Sequence, residues 1–174
     1  MDSSQVFWTP SDKGLSEVVM GGAAPEKLGR LLLVDDDPVG LLALQRHLDR
    51  AGYETRALRG GQEAWDLLEA GEERFDVLIL DRIMPGLDGL KILARVRADE
   101  RLRLTPVVLQ TAAATPQEML EGFQAGASYY LTKPLDAAML LAVVKAAVTD
   151  AQSVGELRTQ IRDQESSLQL MVEG

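Results

Sequence analysis

The stretch that decides the fold is Val77-Leu78-Ile79-Leu80-Asp81, in which four apolar residues run directly into an acid. A strand without polar alternation is typical of a parallel sheet, where both faces of the strand are buried. A second run, Leu31-Leu32-Leu33-Val34, ends in the same way at Asp35-Asp36-Asp37. The two runs therefore predict two buried parallel strands that end in carboxylates.

Outward from these runs, strand-like and helix-like segments alternate along residues 30–150. The predicted strands cover residues 31–34, 53–58, 77–80, 106–110 and 128–131. The predicted helices, whose apolar residues recur every three or four positions, cover residues 38–51, 61–70, 88–98, 116–125 and 135–149. Such alternation implies right-handed crossovers, so we predict an α/β domain with a doubly wound, five-stranded parallel sheet of order 2-1-3-4-5.

Two segments flank this predicted domain. For residues 1–29 we expect a weakly ordered N-terminal extension, with one short amphipathic turn that contains Leu15, Val18 and Val19. Residues 151–174 are predicted to form a C-terminal helical extension with the spacing of a short coiled coil, and a continuation of the last domain helix through Gly155 is left open. The seam residues are Val154, Leu157, Ile161, Gln164, Leu168 and Met171. We favour a dimerising or signalling linker, and a helix that folds back onto its own domain is the alternative.

The composition restricts the class of function. The net charge of the 174 residues is -9, which argues against a broad surface for nucleic acid or anionic membranes. Because the chain has no cysteine, disulfides and thiolate chemistry are excluded. We see no secretory signal pattern, and the apolar runs are shorter than the about 20 residues of a membrane span. We therefore expect a soluble cytoplasmic protein.

The ends of the predicted strands carry the candidate chemistry. Asp35 and Asp36 follow strand 1, Asp81 follows strand 3, and these two strands are neighbours in the predicted order. Ligands of such sheets bind beyond the carboxyl ends of the strands. Carboxylates that converge there repel one another unless a cation lies among them, and oxygen ligands favour Mg²⁺ or Mn²⁺. The sequence thus predicts a metal site at this edge.

Two further side chains at the same edge suit phosphoryl transfer. Thr111 follows strand 4 and Lys133 follows strand 5. A hydroxyl and an ammonium beside a carboxylate and a metal ion can neutralise the charge of a phosphoryl group during in-line attack. Asp81 is the candidate nucleophile, because aspartyl phosphates are established covalent intermediates.

Together these motifs resemble a known family. Val34-Asp35-Asp36-Asp37, the stretch from Asp81 to Gly89, Thr111-Ala112 and Lys133-Pro134 follow the order of the receiver-domain signature of two-component response regulators. The resemblance covers about residues 30–150 and includes the flavodoxin-like fold of the chemotaxis receivers. It implies a signalling module that catalyses only its own phosphorylation and dephosphorylation, with a histidine kinase or a phosphotransfer protein as partner.

The resemblance also implies roles for single residues at the metal site. Asp81 would accept the phosphoryl group and ligate the metal ion. Asp36 would be the acidic metal ligand, and Asp35 would act through a water molecule. The backbone carbonyl of Ile83 would be the third protein ligand. In this family the peptide bond that corresponds to Lys133-Pro134 is cis, so a cis bond is expected here.

A second set of implied roles concerns switching. Thr111 would move to hydrogen-bond the phosphoryl group, and Tyr130 would rotate into the space that Thr111 leaves. The surface of helix 4, strand 5 and helix 5 would then change and control a partner or an output domain. A homodimer is expected to form through this surface or through residues 154–171.

Several residues depart from the signature or have a plainer interpretation. Ile83 is apolar and close to the acceptor, so it could shade the phosphoryl group from water and slow its loss. Arg82 places a cation beside the acceptor; its side chain is expected to face solvent, and a contact to the phosphoryl group or to a partner is the alternative. Asp37 and Asp88 are interpreted as helix caps, and His47 as a solvated residue of helix 1.

Two other functions compete with phosphorylation-dependent signalling. The first is a receiver-like dimerisation module that works without phosphorylation, although the complete acidic set and Lys133 argue against it. The second is a Mg²⁺-dependent phosphohydrolase, which normally carries another acid two residues after its nucleophile. Because Ile83 stands at that position, we rank the phosphohydrolase last.

Overall fold

In the computed structural model, which describes residues 26–112 and 115–172, five strands form one parallel sheet. The strands are β1 (Arg30–Val34), β2 (Glu54–Leu58), β3 (Val77–Asp81), β4 (Val107–Thr111) and β5 (Tyr129–Thr132). The helices are α1 (Pro38–Arg50), α2 (Gly61–Ala70), α3 (Gly89–Ala98), α4 (Pro116–Gln124) and α5 (Ala137–Val172). The strand order is β2-β1-β3-β4-β5, so the predicted fold class is confirmed. The turn expected near Leu15 lies outside the described residues.

The register between β1 and β3 determines where along the sheet the acidic residues lie. Val34 of β1 pairs with Leu80 of β3. Asp35 and Asp81, the residues that follow this pair, therefore lie at the same carboxyl edge. Every residue of β3 and β4 is buried, as the uninterrupted apolar runs predict.

Side chains of each strand alternate between two apolar layers. Leu31 and Leu33 pack on one face of the sheet with residues of α1 and α5. Leu32 and Val34 pack on the other face with residues of α2 and α3. A buried side chain of this size contributes about 1.5–3 kcal/mol to folding. The two layers hold the strand ends in place on both sides.

The helices that border the carboxyl edge begin at well-formed caps. The Asp37 side chain accepts hydrogen bonds from the backbone N–H groups of Val39 and Gly40, at 3.1 and 3.0 Å. Asp88 accepts one from the backbone N–H of Lys91 at 3.0 Å. Both acids are therefore caps, as predicted. They fix the start of α1 and of α3 at the edge that carries the acidic cluster.

Helix α5 continues without a break through Gly155 and spans 36 residues, so the predicted helix 135–149 and the extension after it are one element. Within the described part of the chain, Ala137–Ser166 is the one helical stretch long and apolar enough, by length and composition, to span a membrane. This is weak support for a membrane span, because the core helix of a soluble protein can be equally long and apolar. Leu140 and Val144 are such core residues, packed against β-strand residues.

Candidate functional site

The sheet brings the predicted acidic residues together. Asp35 and Asp36 follow β1 and Asp81 ends β3, and one carboxylate oxygen of each lies within 4.8 Å of the other two. Asp35 is 1% exposed and Asp81 is 7% exposed. Three carboxylates this close carry unfavourable repulsion, which a divalent cation among them would relieve.

Lys133 reaches into the same cluster from the end of β5. Its ammonium Nζ lies 2.7 Å from Asp35 Oδ2 and 3.5 Å from Asp81 Oδ2. The backbone N–H of Lys133 donates to the carbonyl of Thr111 at 2.8 Å, which ties the lysine to the end of β4. The peptide bond to Pro134 is cis, as the family resemblance implies.

The pKa values of Asp81 and Lys133 are shifted by burial and by the neighbouring charges. Burial raises the pKa of Asp81, Lys133 opposes this rise, and the charge of Asp35 adds to it. A hydrogen bond from the backbone N–H of Ile83 lowers the pKa of Asp81 without reversing the shift. Burial lowers the pKa of Lys133, but Asp35 and Asp81 outweigh it and leave that pKa above its usual value. One ammonium thus compensates only part of the acidic charge, and the donor set suits a hard divalent cation.

Asp35 is held by contacts to both of its carboxylate oxygens. Oδ1 accepts a hydrogen bond from the backbone N–H of Asp37 at 2.9 Å. Oδ2 accepts one from Lys133 at 2.7 Å. The cap residue of α1 thereby orients the acid that pairs with the lysine.

The two predicted switch residues lie on adjacent strands, where Tyr130 pairs with Leu109, two residues before Thr111. Thr111 closes β4 and is 1% exposed. Tyr130 of β5 donates its hydroxyl to the Glu118 carbonyl at 3.2 Å, and its ring packs edge-on against Phe123 with 5.2 Å between centroids. A Cβ atom on Gly122 would overlap the Tyr130 hydroxyl. The position of this ring therefore depends on glycine at residue 122.

Arg82 corrects one expectation from the sequence. We expected its side chain to face solvent, but the residue is 8% exposed. Its guanidinium crosses to α4, where Nη1 lies 2.8 Å from Glu118 Oε1 and Nη2 lies 2.8 Å from Glu121 Oε2. Two acids with favourable charge and geometry outweigh the gain from hydrating the arginine at the surface.

Glu118 and Glu121 are site neighbours that the sequence analysis did not single out. A local signal for Glu118 was present, because Thr115 and Glu118 have the spacing of a capping box. The three-residue spacing of the two glutamates also places them on one helix face. His47, by contrast, lies exposed on α1 as predicted, with its ring Nδ1 2.7 Å from the Ala43 carbonyl.

Comparisons with known proteins agree with this geometry. The model of the response regulator receiver domain family matches residues 31–145. The receiver domain of sensor histidine kinase PA1611 from Pseudomonas aeruginosa PAO1 is 30% identical, with a TM-score of 0.63. That likeness covers 70% of this chain and 98% of the solved chain.

Two curated relatives are transcriptional regulators. RpaA of Synechocystis, a DNA-binding dual master transcriptional regulator, is 37% identical over 67% of this chain and 48% of its own length. The transcriptional activator protein PfeR of Pseudomonas aeruginosa is 40% identical over 64% of this chain and 35% of its own length. This chain thus spans about half or less of these relatives. The match over residues 31–145 nevertheless covers more than half of the chain, which therefore belongs to the response regulator receiver domain family, a family of signalling modules.

Proposed function

We propose that Asp81 accepts a phosphoryl group from the phosphohistidine of a histidine kinase or a phosphotransfer protein. The observation that supports this most is the convergence of Asp81 with Lys133 and two further acids at one edge of the sheet. An Asp81 carboxylate oxygen attacks phosphorus, and the bond from phosphorus to the donor imidazole nitrogen breaks. The imidazole leaves with the bonding electron pair, and the product is an aspartyl phosphate.

A divalent cation, Mg²⁺ or Mn²⁺, fits the acidic cluster. Asp35, Asp36, Asp81 and the backbone carbonyl of Ile83 would hold it, since hard oxygen donors and excess negative charge suit such ions. When bound, the cation would neutralise negative charge on the phosphoryl oxygens. The PA1611 receiver was solved with a magnesium ion coordinated in its active-site cleft, which supports the same assignment here.

The remaining site residues would respond to the phosphoryl group. Lys133 would shift its ion pair from Asp35 and Asp81 to a phosphoryl oxygen, because the new group carries more charge than a carboxylate. Thr111 would donate its hydroxyl to another oxygen. Tyr130 lies on the adjacent strand β5 and would change its packing against α4. The surface of α4, β5 and α5 would thereby control a partner or an output domain.

Intact mass spectrometry tests this proposal. The protein is incubated with acetyl phosphate, which supplies the phosphoryl group without a kinase, and with Mg²⁺. We expect the wild type to gain the mass of one phosphoryl group, and Asp81→Asn to gain none. An unmodified wild type, or an Asp81→Asn variant that is modified equally, would reject the proposal.

We further propose that the part of α5 beyond the domain pairs with a second copy of the chain. Leu157 and Ile161 lie at seam positions and are 58% and 53% exposed. Exposed apolar residues at this spacing are typical of a coiled-coil contact. Sedimentation equilibrium should show a dimer that Ile161→Glu reduces to a monomer, whereas Thr159→Glu, outside the seam, should not. A wild-type monomer at all concentrations, with or without acetyl phosphate, would contradict this pairing.

A further inference from the structure

Arg82 connects the acceptor residue with helix α4. Its backbone N–H donates to the Gln110 carbonyl at 2.8 Å, which fixes Arg82 between β3 and β4. Its guanidinium then bridges two acids of α4, donating to Glu118 and Glu121 at 2.8 Å each. The Arg82 side chain is 9% exposed, against 34% and 60% for the two glutamates. The arginine therefore carries its charge inside the domain, where the two acids are its counter-ions.

Glu118 extends this connection to the surface that would switch. Its carboxylate accepts hydrogen bonds from the backbone N–H and the hydroxyl of Thr115, at 2.9 and 3.1 Å, where α4 begins. Its backbone carbonyl accepts the Tyr130 hydroxyl at 3.2 Å. Glu118 links Arg82 both to the start of α4 and to the aromatic ring of β5, and the Arg82 side chain also interacts with Tyr130 directly.

The guanidinium of Arg82 also has an unused donor. Its Nε is buried and has no hydrogen-bond partner among the described residues. A buried donor without a partner is unfavourable, so the side chain gains when a new acceptor comes within reach. Phosphoryl oxygens are strong acceptors for guanidinium groups.

We propose that Arg82 is a positioning residue that holds α4 while Asp81 is unphosphorylated and loosens its hold when Asp81 is phosphorylated. This inference rests on the proposed function. A phosphoryl group places about two negative charges on the residue next to Arg82. The guanidinium is then drawn from Glu118 and Glu121 toward the new oxygens. Helix α4 loses its ion pairs to the domain and samples other positions.

Hydrogen exchange of the α4 backbone tests the inference, with intact mass recorded on the same samples. In the wild type, exchange within residues 115–124 should rise about tenfold after treatment with acetyl phosphate and Mg²⁺. In Arg82→Gln it should already be raised without treatment and should not rise further. Glu118→Gln combined with Glu121→Gln should behave in the same way. Because these two glutamates lie nearer the surface, that variant serves if Arg82→Gln fails to fold.

Two further variants separate positioning from general destabilisation. Arg82→Lys keeps a positive charge. It should therefore restore part of the difference in α4 hydrogen exchange between the treated and the untreated protein. Arg101→Gln removes an exposed ion pair with Asp99, 3.2 Å long, and should leave α4 exchange as in the wild type. Wild-type exchange in untreated Arg82→Gln overturns the inference, whether or not Asp81 is modified. The inference is also overturned if phosphorylation raises α4 hydrogen exchange in Arg82→Gln as much as it does in the wild type. An unmodified mass in the treated wild type refutes the proposed function instead.

Discussion

Replacement of Asp81 by asparagine should stabilise the folded protein at neutral pH when no divalent cation is present. Asp81 is 7% exposed, and burial raises its pKa despite the opposing charge of Lys133. The folded chain therefore keeps this proton to a higher pH than the unfolded chain, in which the pKa is about 3.9. Ionisation of Asp81 then costs stability as the pH rises through the folded pKa, and the loss persists at pH 7. Asparagine removes this cost.

The distances to the neighbouring charges give the size of the effect. Two carboxylates no more than 4.8 Å apart repel by at least about 0.9 kcal/mol in a water-like dielectric, and Asp81 has two such neighbours. Lys133 at 3.5 Å attracts Asp81 by about 1.2 kcal/mol. The balance is a repulsion of about 0.5 kcal/mol, and the burial of Asp81 adds to it. We expect Asp81→Asn to gain about 1 kcal/mol in free energy of unfolding, which raises Tm by about 2–4 °C.

Thermal denaturation followed by circular dichroism measures this gain. In EDTA at pH 7, Asp81→Asn should melt above the wild type, and the difference should vanish below about pH 4, where the unfolded carboxyl is protonated as well. Mg²⁺ should raise the Tm of the wild type more than that of the variant. Asp66→Asn on the exposed face of α2 is the control and should change neither result. A variant that melts below the wild type in EDTA would refute the reasoning.

Four further substitutions test other parts of the structure. Ile83 lies beside the acceptor and is 68% exposed, and Ile83→Asn introduces a side chain that can position water there. This variant should shorten the lifetime of the phosphorylated form in a mass-spectrometric time course. An unchanged lifetime would count against shading of the phosphoryl group by Ile83. Gly122→Ala overlaps the Tyr130 hydroxyl and should cost about 1–3 kcal/mol in urea denaturation. Gly155→Ala, where a Cβ atom meets nothing within 4 Å, should instead gain about 1 kcal/mol, and equal effects at the two glycines would contradict the packing described. Leu80→Ala removes a side chain that is 0% exposed and should cost about 2–5 kcal/mol, so a loss below 1 kcal/mol would be inconsistent with this core.

Much of the fold could be predicted because its signals are local. The uninterrupted apolar run of Val77 to Leu80 is a strand buried on both faces, and Asp81 marks its end. The alternation of such runs with helical patterns then limits the topology to very few arrangements. The acids converge because parallel strands end at one edge, which is a property of the topology and needs no knowledge of individual contacts.

The environment of Arg82 could not be predicted, because its partners are distant in sequence. Glu118 and Glu121 lie 36 and 39 residues further along the chain, and no periodic pattern connects them with the arginine. Whether the Arg82 side chain faces water or the two glutamates depends on where α4 packs. The sequence left the continuity of α5 open, because Gly155 lowers helix propensity by about 1 kcal/mol. In the structure the neighbouring residues outweigh that cost, and the helix is continuous.

The most direct measurement of the central claim is the chemical identification of the modified residue. The protein is treated with acetyl phosphate and Mg²⁺ and then reduced with borohydride, which converts an aspartyl phosphate into homoserine. Peptide mass spectrometry of the product should find homoserine at position 81 and unmodified aspartate at positions 35 and 36. Homoserine at another position, or at none, would contradict the account in which this edge of the sheet is a phosphorylation site.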